Sequence, residues 1–310
     1  MPARQNTGQE AGEHIDSSAH GASIRATILW FAGTSCEHTR VSVAVFESPR
    51  PLVFAHRGGA RLAPENTMVA LDNGLALGAD GLELDVQLSS DGIPVVIHDK
   101  TLDRTTDHTG PVRDFTADDL AHVDAGYRFE RDGAHPFRGQ GIGVPALADV
   151  LARHRDTRVI IEMKGAEPAL ARAVAKQVRA ASAVDRVCVG SFHQRSIVTL
   201  RDEAPEIVTS ASQPEARWAL HRSWVSWPWI GPRPYVAFQV PERAGRLRVV
   251  TPTFIDQVHN EGQVIQVWVV NDQADIIRLL DWGVDGVISD RPDVAVKVNA
   301  AWYNERQAAQ

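Results

Sequence analysis

The chain has 310 residues, 44% of them hydrophobic and 23% charged, and a formal net charge of −7. That balance leaves no basic footprint for nucleic acid. Its two cysteines, Cys36 and Cys188, are too few for a disulfide framework or a thiolate metal site, and Cys188, inside the apolar run 186–190, reads as a buried core residue.

The first 50 residues open polar, and Ile28-Leu29-Trp30-Phe31 is too short an apolar run for a membrane span or an export signal, with Glu10, Glu13 and Asp16 upstream. Residues 1–50 therefore read as an extension, whether disordered, an accessory arm or a product of the chosen start codon. The negative charge and the missing signal predict the cytoplasm. The region 51–297 has the length of one large α/β domain, and 298–310 reads as a C-terminal tail.

The first strand, near 52–56, ends abruptly in His56-Arg57-Gly58-Gly59, and Pro64-Glu65-Asn66-Thr67 opens a helix over 65–78. The next strand, 81–87, alternates polar and apolar residues, so Glu83 and Asp85 project from one face. Two anions side by side call for a cation. The turn Ser89-Ser90-Asp91-Gly92 is a hairpin signal, and pairing 94–98 back across it sets His98 opposite 83–85. Taken singly, a Glu-x-Asp pair on a strand is a solvated face and a strand-end His a cap. Successive apolar runs that each end in catalytically useful groups weigh against that reading.

Residues 107–146 are rich in Gly, Asp and Arg and predict loops over the mouth of the fold. Gly139-Gln140-Gly141-Ile142-Gly143 lacks the preceding strand and following helix of a nucleotide loop. Helices are expected at 118–124, 147–154, 167–182, 194–203, 213–220, 251–261, 273–282 and after Pro292, alternating with strands near 158–163, 186–190, 206–210, 235–239, 264–270 and 285–289. With 52–56 and 81–87 these make eight parallel staves, 94–98 being the hairpin partner. The fold class is therefore α/β, a (β/α)8 TIM barrel with a β-hairpin and a short insertion at its C-terminal mouth. His56, Glu83, Asp85, Glu162, Lys164, Trp268 and Asn271 all fall at or near strand ends, where such barrels carry their sites.

The stretch from Val53 to Thr106 resembles the glycerophosphodiester phosphodiesterases, bacterial members of the phospholipase-C-like barrel class. It carries the His-Arg-Gly opening, Pro-Glu-Asn-Thr, Glu-x-Asp, Ser-Asp-Gly, His98-Asp99 and Leu102-Asp103-Arg104-Thr105-Thr106. The likeness continues through Val144-Pro145-Ala146-Leu147, Ile160-Ile161-Glu162-Met163-Lys164, Ser191-Phe192, Val267-Trp268-Val269-Val270-Asn271 and 283–290.

The resemblance implies one divalent cation, Ca²⁺ or Mg²⁺, on the oxygen ligands Glu83, Asp85 and Glu162. Glu65 is a further ligand or a group that orients Arg57. His56 and His98 form the acid/base pair, in an order the sequence leaves open. Arg57 and Lys164 stabilise phosphoryl charge and bind substrate. The nucleophile is water or the substrate's adjacent hydroxyl. Trp268 is an apolar wall for the substrate or a packing residue; Gln239 is a polar contact or a strand-end amide.

The implied activity is hydrolysis of a small glycerophosphodiester to sn-glycerol 3-phosphate and an alcohol, a step of glycerol and lipid metabolism. Two alternatives stand beside it: a lysophospholipid or other lipid phosphodiesterase at a membrane surface, and a non-catalytic phosphodiester-binding barrel. The cluster Trp218, Trp224, Trp227 and Trp229 bears on the first, as a cap over the mouth, a lipid-contacting patch or packing of an irregular loop. The oligomeric state is not legible.

Overall fold

The computed structural model describes residues 43–225 and 233–309. Among these described residues ten strands are formed: β1 Leu52–His56, β2 Gly81–Leu88, β3 Pro94–Val96, β4 Arg158–Met163, β5 Val187–Gly190, β6 Ala237–Pro241, β7 Arg243–Ala244, β8 Leu247–Arg248, β9 Val264–Trp268 and β10 Gly286–Ser289. Interleaved helices are α1 Met68–Ala76, α2 Ala117–His122, α3 Leu147–Arg153, α4 Pro168–Ala180, α5 Gln194–Glu203, α6 Gln213–Trp224, α7 Pro252–Asn260, α8 Gln273–Trp282 and α9 Pro292–Ala308. Local chemistry sets their ends. Thr67 and Asp272 cap α1 and α8 with side-chain oxygens, Pro168 and Pro252 start α4 and α7, and Gly283 closes α8 at φ 95°.

The strands lie in the order β5-β4-β2-β1-β10-β9-β6, all pairs parallel, with β3 antiparallel beside β2. Residues 208–211 fill the remaining interval. Val189 bridges Thr209 and Ser210 bridges Ala237, both in parallel sense. The expected stave at 206–210 is thus present as two bridge residues, and it closes the (β/α)8 barrel.

Period-two alternation sorts the side chains. Outward residues such as Leu82, Leu84, Val86, Val159, Ile161 and Met163 pack against helices α3 to α5, while Val53, Phe238, Val267 and Val287 pack against α6 to α9. Inward residues Leu52, Phe54, Ile160, Cys188, Ala237 and Ile288 fill the barrel's lower interior. Gly81 lets that interior pack tightly: a Cβ there would lie 2.6 Å from the Phe54 ring and 2.8 Å from the Arg158 carbonyl.

Three expectations are corrected. Val45 and Phe46, in the single 3₁₀ turn Ala44–Phe46, are buried in the lower interior, with Phe46 edge-on to Phe54 at 6.2 Å. The part of the 1–50 extension from residue 43 onward therefore plugs the barrel bottom, because open strand ends expose apolar side chains that need covering; residues 1–42 lie outside the described ones. The 298–310 tail is the continuation of α9, tied down by buried Val298 and by Asn299, which donates to the Pro51 carbonyl at 2.8 Å. The β2/β3 ladder ends at Val86–Val96, two residues short of His98, where the Gln87 amide donates to the His98 carbonyl instead.

The 107–146 insertion is more than loop. Val112, Leu120, Val123 and Val144 form a small core with Val95 and Leu102. Gly143 packs against the Ala121 carbonyl of α2 so closely that a Cβ would lie 2.0 Å from it.

Candidate active site

The rule that fills the lower barrel with Phe54, Ile160 and Ile288 places the next inward residues, two positions on, at its mouth: His56, Glu162 and Asp290. Register aligns them. His56 pairs with Glu83 and Asp85 with Glu162 across adjacent strands. One ligand oxygen from each of Glu83, Asp85 and Glu162 lies within 4.8 Å of the others.

The cluster is crowded and buried. Glu83 has its carboxyl pushed up to about 7, by burial first and then by the neighbouring charges of Asp85 and Glu162. Asp85 is buried too, but Arg57 and Lys164 outweigh that penalty and hold it below the ordinary carboxylate range. Arg57 Nε lies 2.9 Å from Asp85 Oδ2, and Lys164 Nζ lies 2.9 Å from both Asp85 Oδ1 and Glu162 Oε1. The donor set is oxygen-only, and the raised Glu83 records negative charge that two cationic side chains leave uncompensated. Both facts fit a hard divalent cation.

Arg57 is reached by a tight turn. It adopts φ 52°, its N–H donates to the Glu83 carbonyl and carboxylate at 2.8 and 3.2 Å, and the next residue, Gly58, is pressed against α1, where a Cβ would lie 2.4 Å from the Ala70 carbonyl carbon. Glu65 stands outside the three-carboxylate group. Its Oε1 accepts from Arg57 at 2.8 Å and from Arg104 at 2.7 Å, and its Oε2 from Arg104 at 2.8 Å. Of the two roles expected for Glu65, this is the geometry of the orienting one.

Each histidine has a carboxylate at Nδ1: Asp290 at 2.6 Å from His56 and Asp99 at 2.6 Å from His98. Burial disfavours the His56 imidazolium, but Glu83 and Asp290 prevail and its pKa is raised. For His98 burial prevails over Asp85 and Asp99, assisted by the positive charges of Arg57 and Lys164, and its pKa is lowered. Asp290 is fixed by Asn271, which donates to its carboxylate at 2.9 Å and accepts its backbone N–H at 2.8 Å. Asn66 donates to Asp85 at 2.9 Å. Arg104 joins the two sides, donating to Glu65 and, at 2.5 Å, to Asp99. Sequence reasoning gave no role to Asp99, Asp290, Asn66 or Arg104. Adjacency to His98 marked Asp99, and a strand-end position marked Asp290.

A cleft of about 580 Å³ opens over this cluster, lined by His56, Arg57, Glu83, His98, Glu162 and Lys164 at one side. Trp268 forms part of its wall, edge-on to Phe192 at 6.0 Å. Gln239 also lines it, while its amide lies 3.4 Å from the Gln266 oxygen inside the barrel. Trp218 and Trp224 are exposed on α6, whereas Trp227 and Trp229 lie outside the described residues. Cys188 is buried below, its thiol pushed up to about 12 by burial. Among the described residues no helix is long and apolar enough to cross a membrane.

Comparison with known proteins agrees with this geometry. Residues 56–294 match the Glycerophosphoryl diester phosphodiesterase family. A glycerophosphodiester phosphodiesterase of Bacillus altitudinis is 35% identical over 253 residues, covering 79% of this chain and 97% of that protein. One of Caldanaerobacter subterraneus is 32% identical over 254 residues, covering 80% and 98%. The crystal structure of a glycerophosphodiester phosphodiesterase from Agrobacterium tumefaciens superposes with TM-score 0.65 at 32% identity, covering 80% of this chain and 99% of that one. Matched along nearly the whole barrel by a family model and by full-length relatives, the chain belongs to the glycerophosphoryl diester phosphodiesterase family.

Proposed function

We propose that the protein hydrolyses glycerophosphodiesters to sn-glycerol 3-phosphate and an alcohol, with one divalent cation, Ca²⁺ or Mg²⁺, held by Glu83, Asp85 and Glu162. The observation that carries this reading is the convergence, at one barrel mouth, of three carboxylates within 4.8 Å and two histidines each backed by its own carboxylate. When bound, the cation supplies Lewis-acid polarisation of the phosphoryl oxygens.

The protein's own groups do the rest. Arg57 and Lys164 face the phosphate oxygens and compensate charge as the leaving group departs. The opposite shifts of the two histidines divide the labour. His98, held low and neutral, accepts the proton of the attacking oxygen, from water or from the neighbouring glycerol hydroxyl. His56, whose imidazolium the hydrogen-bonded Asp290 favours, donates a proton to the departing alkoxide as its P–O bond breaks. Glu65 orients Arg57, and the Trp268–Phe192 wall bounds the space beside the reacting group.

The test is release of sn-glycerol 3-phosphate from glycerophosphocholine by purified protein, before and after EDTA, with Mg²⁺ and Ca²⁺ restored separately. Activity lost to EDTA and regained with one cation is expected. Undiminished turnover after exhaustive chelation overturns the cation, and absence of product with every diester overturns the reaction.

A further inference from the structure

The cleft has two unlike sides. Among the described residues the two acidic ones that line it, Glu83 and Glu162, belong to the catalytic side. Across the barrel mouth the lining comes from the closing stave, α6, the end of β6 and the small β7/β8 hairpin. There it is mainly aliphatic, with Ala211, Leu220, Val240, Ala244, Leu247 and Val249. Leu247 is 42% exposed, and Phe192 at the edge is 41% exposed, so apolar surface continues to the rim. Ser210, Gln213, Arg217 and Gln239 are the polar residues on that side, and the six aliphatic ones offer a polar head group nothing to bond. Among the described residues a cationic one finds no carboxylate on that side and meets Arg217 of α6.

From this asymmetry, and resting on the diesterase reading above, we infer that the apolar side is a subsite for an aliphatic chain carried by the phosphodiester substrate, so that the preferred substrates are chain-bearing diesters rather than small polar ones. The occupant follows from continuity: the arm opens into the same cleft that holds the phosphate-binding groups, so a chain attached to the bound diester reaches it without a separate binding event. The volume is on the scale of pockets that enclose drug-sized molecules. The chain can belong to either ester arm, an acyl group on the glycerol or an alkyl leaving alcohol. Both present the same surface to Leu247 and Ala244.

The experiment measures kcat/KM, below the micellar concentration, for two homologous series: lysophosphatidylcholines with acyl chains of increasing length, and glycerophospho-n-alkanols, each against glycerophosphocholine. The wild-type protein is compared with Leu247→Glu, which places a charge in the arm, and Ala244→Phe, which fills it from the exposed hairpin. Each buried methylene is expected to raise kcat/KM about fourfold until the arm is full. Both variants flatten that rise while leaving glycerophosphocholine turnover unchanged, and the series that responds identifies the ester arm. Turnover of glycerophosphocholine with no chain-length gain in either series overturns the subsite and leaves the diesterase reading intact. A gain that persists in both variants also overturns it, since the chain then binds elsewhere. Absence of turnover with every diester removes the diesterase reading, and the subsite with it.

Discussion

The lower and upper ends of the barrel are built by the same strands and obey opposite chemistry. Phe54 and His56, Ile160 and Glu162, and Ile288 and Asp290 are each two positions apart, yet the first of each pair is buried among hydrocarbon and the second joins an ionic network. One inward-facing stripe therefore carries both stability and chemistry, divided by height alone. The difference makes the two ends separable by mutation. Changes at the mouth remove function with little change in folding, and changes at the base do the reverse.

The sharpest test of that separation is His56→Ala or His98→Ala. In the proposed mechanism each removes a proton-transfer group, so turnover of glycerophosphocholine should fall by about 10²–10⁴-fold while the thermal midpoint stays near that of the parent. Substantial activity in either variant breaks the assignment. Glu83→Ala or Asp85→Ala should weaken cation affinity about tenfold or more, read by metal titration; an unchanged titration removes them as ligands.

At the base, Phe46→Ala should destabilise the fold by about 3 kcal/mol or more, the usual cost of emptying a buried phenylalanine site, with kcat/KM intact below the new transition. Denaturant unfolding measures it. A neutral result would show that the 3₁₀ turn does not plug the barrel.

Smaller effects probe the groups behind the histidines. Asp290 helps to raise the His56 pKa. Asp290→Asn should therefore lower it, and because the role proposed for His56 needs it protonated, the alkaline limb of the rate profile should move to lower pH while the acid limb stays. Movement of the acid limb instead would exchange the two histidines' roles. Arg104→Ala loosens Glu65 and Asp99 together, so a loss of about tenfold in kcat with little change in KM is expected, partly restored by Arg104→Lys. An effect on KM alone would assign Arg104 to substrate binding.

Most of this was legible because alternation is a local signal. Glu83 and Asp85 on one face, the Asp91-Gly92 turn and the strand-end positions of His56 and Glu162 follow from neighbours in sequence. The pairing of His56 with Asp290 spans 234 positions, and only barrel closure brings the two together. Phe46 was read outside the domain because a three-residue turn has no periodicity to announce burial. His98 lies beyond the end of the ladder, and its carbonyl accepts from the Gln87 side chain, a partner that strand alternation does not announce. Glu65 could not be assigned from its motif, since its second guanidinium, Arg104, lies 39 residues away.

The closing stave at 208–211 gives the barrel a seam. Its backbone bonds to the flanking strands are those of Val189 to Val208, Ser210 to Val189, Val236 to Thr209 and Ala211 to Ala237. From outside, Arg201 pins it by donating to Thr209 Oγ1 at 2.9 Å and to the Ser210 carbonyl at 3.1 Å. Such a short stave is expected to exchange its amide protons through local opening more readily than the longer staves β1, β2 and β4. Ser210 and Ala211 also line the apolar side of the cleft, so a substitution that weakens this seam is expected to perturb that wall before it perturbs the register of β1, β2 and β4.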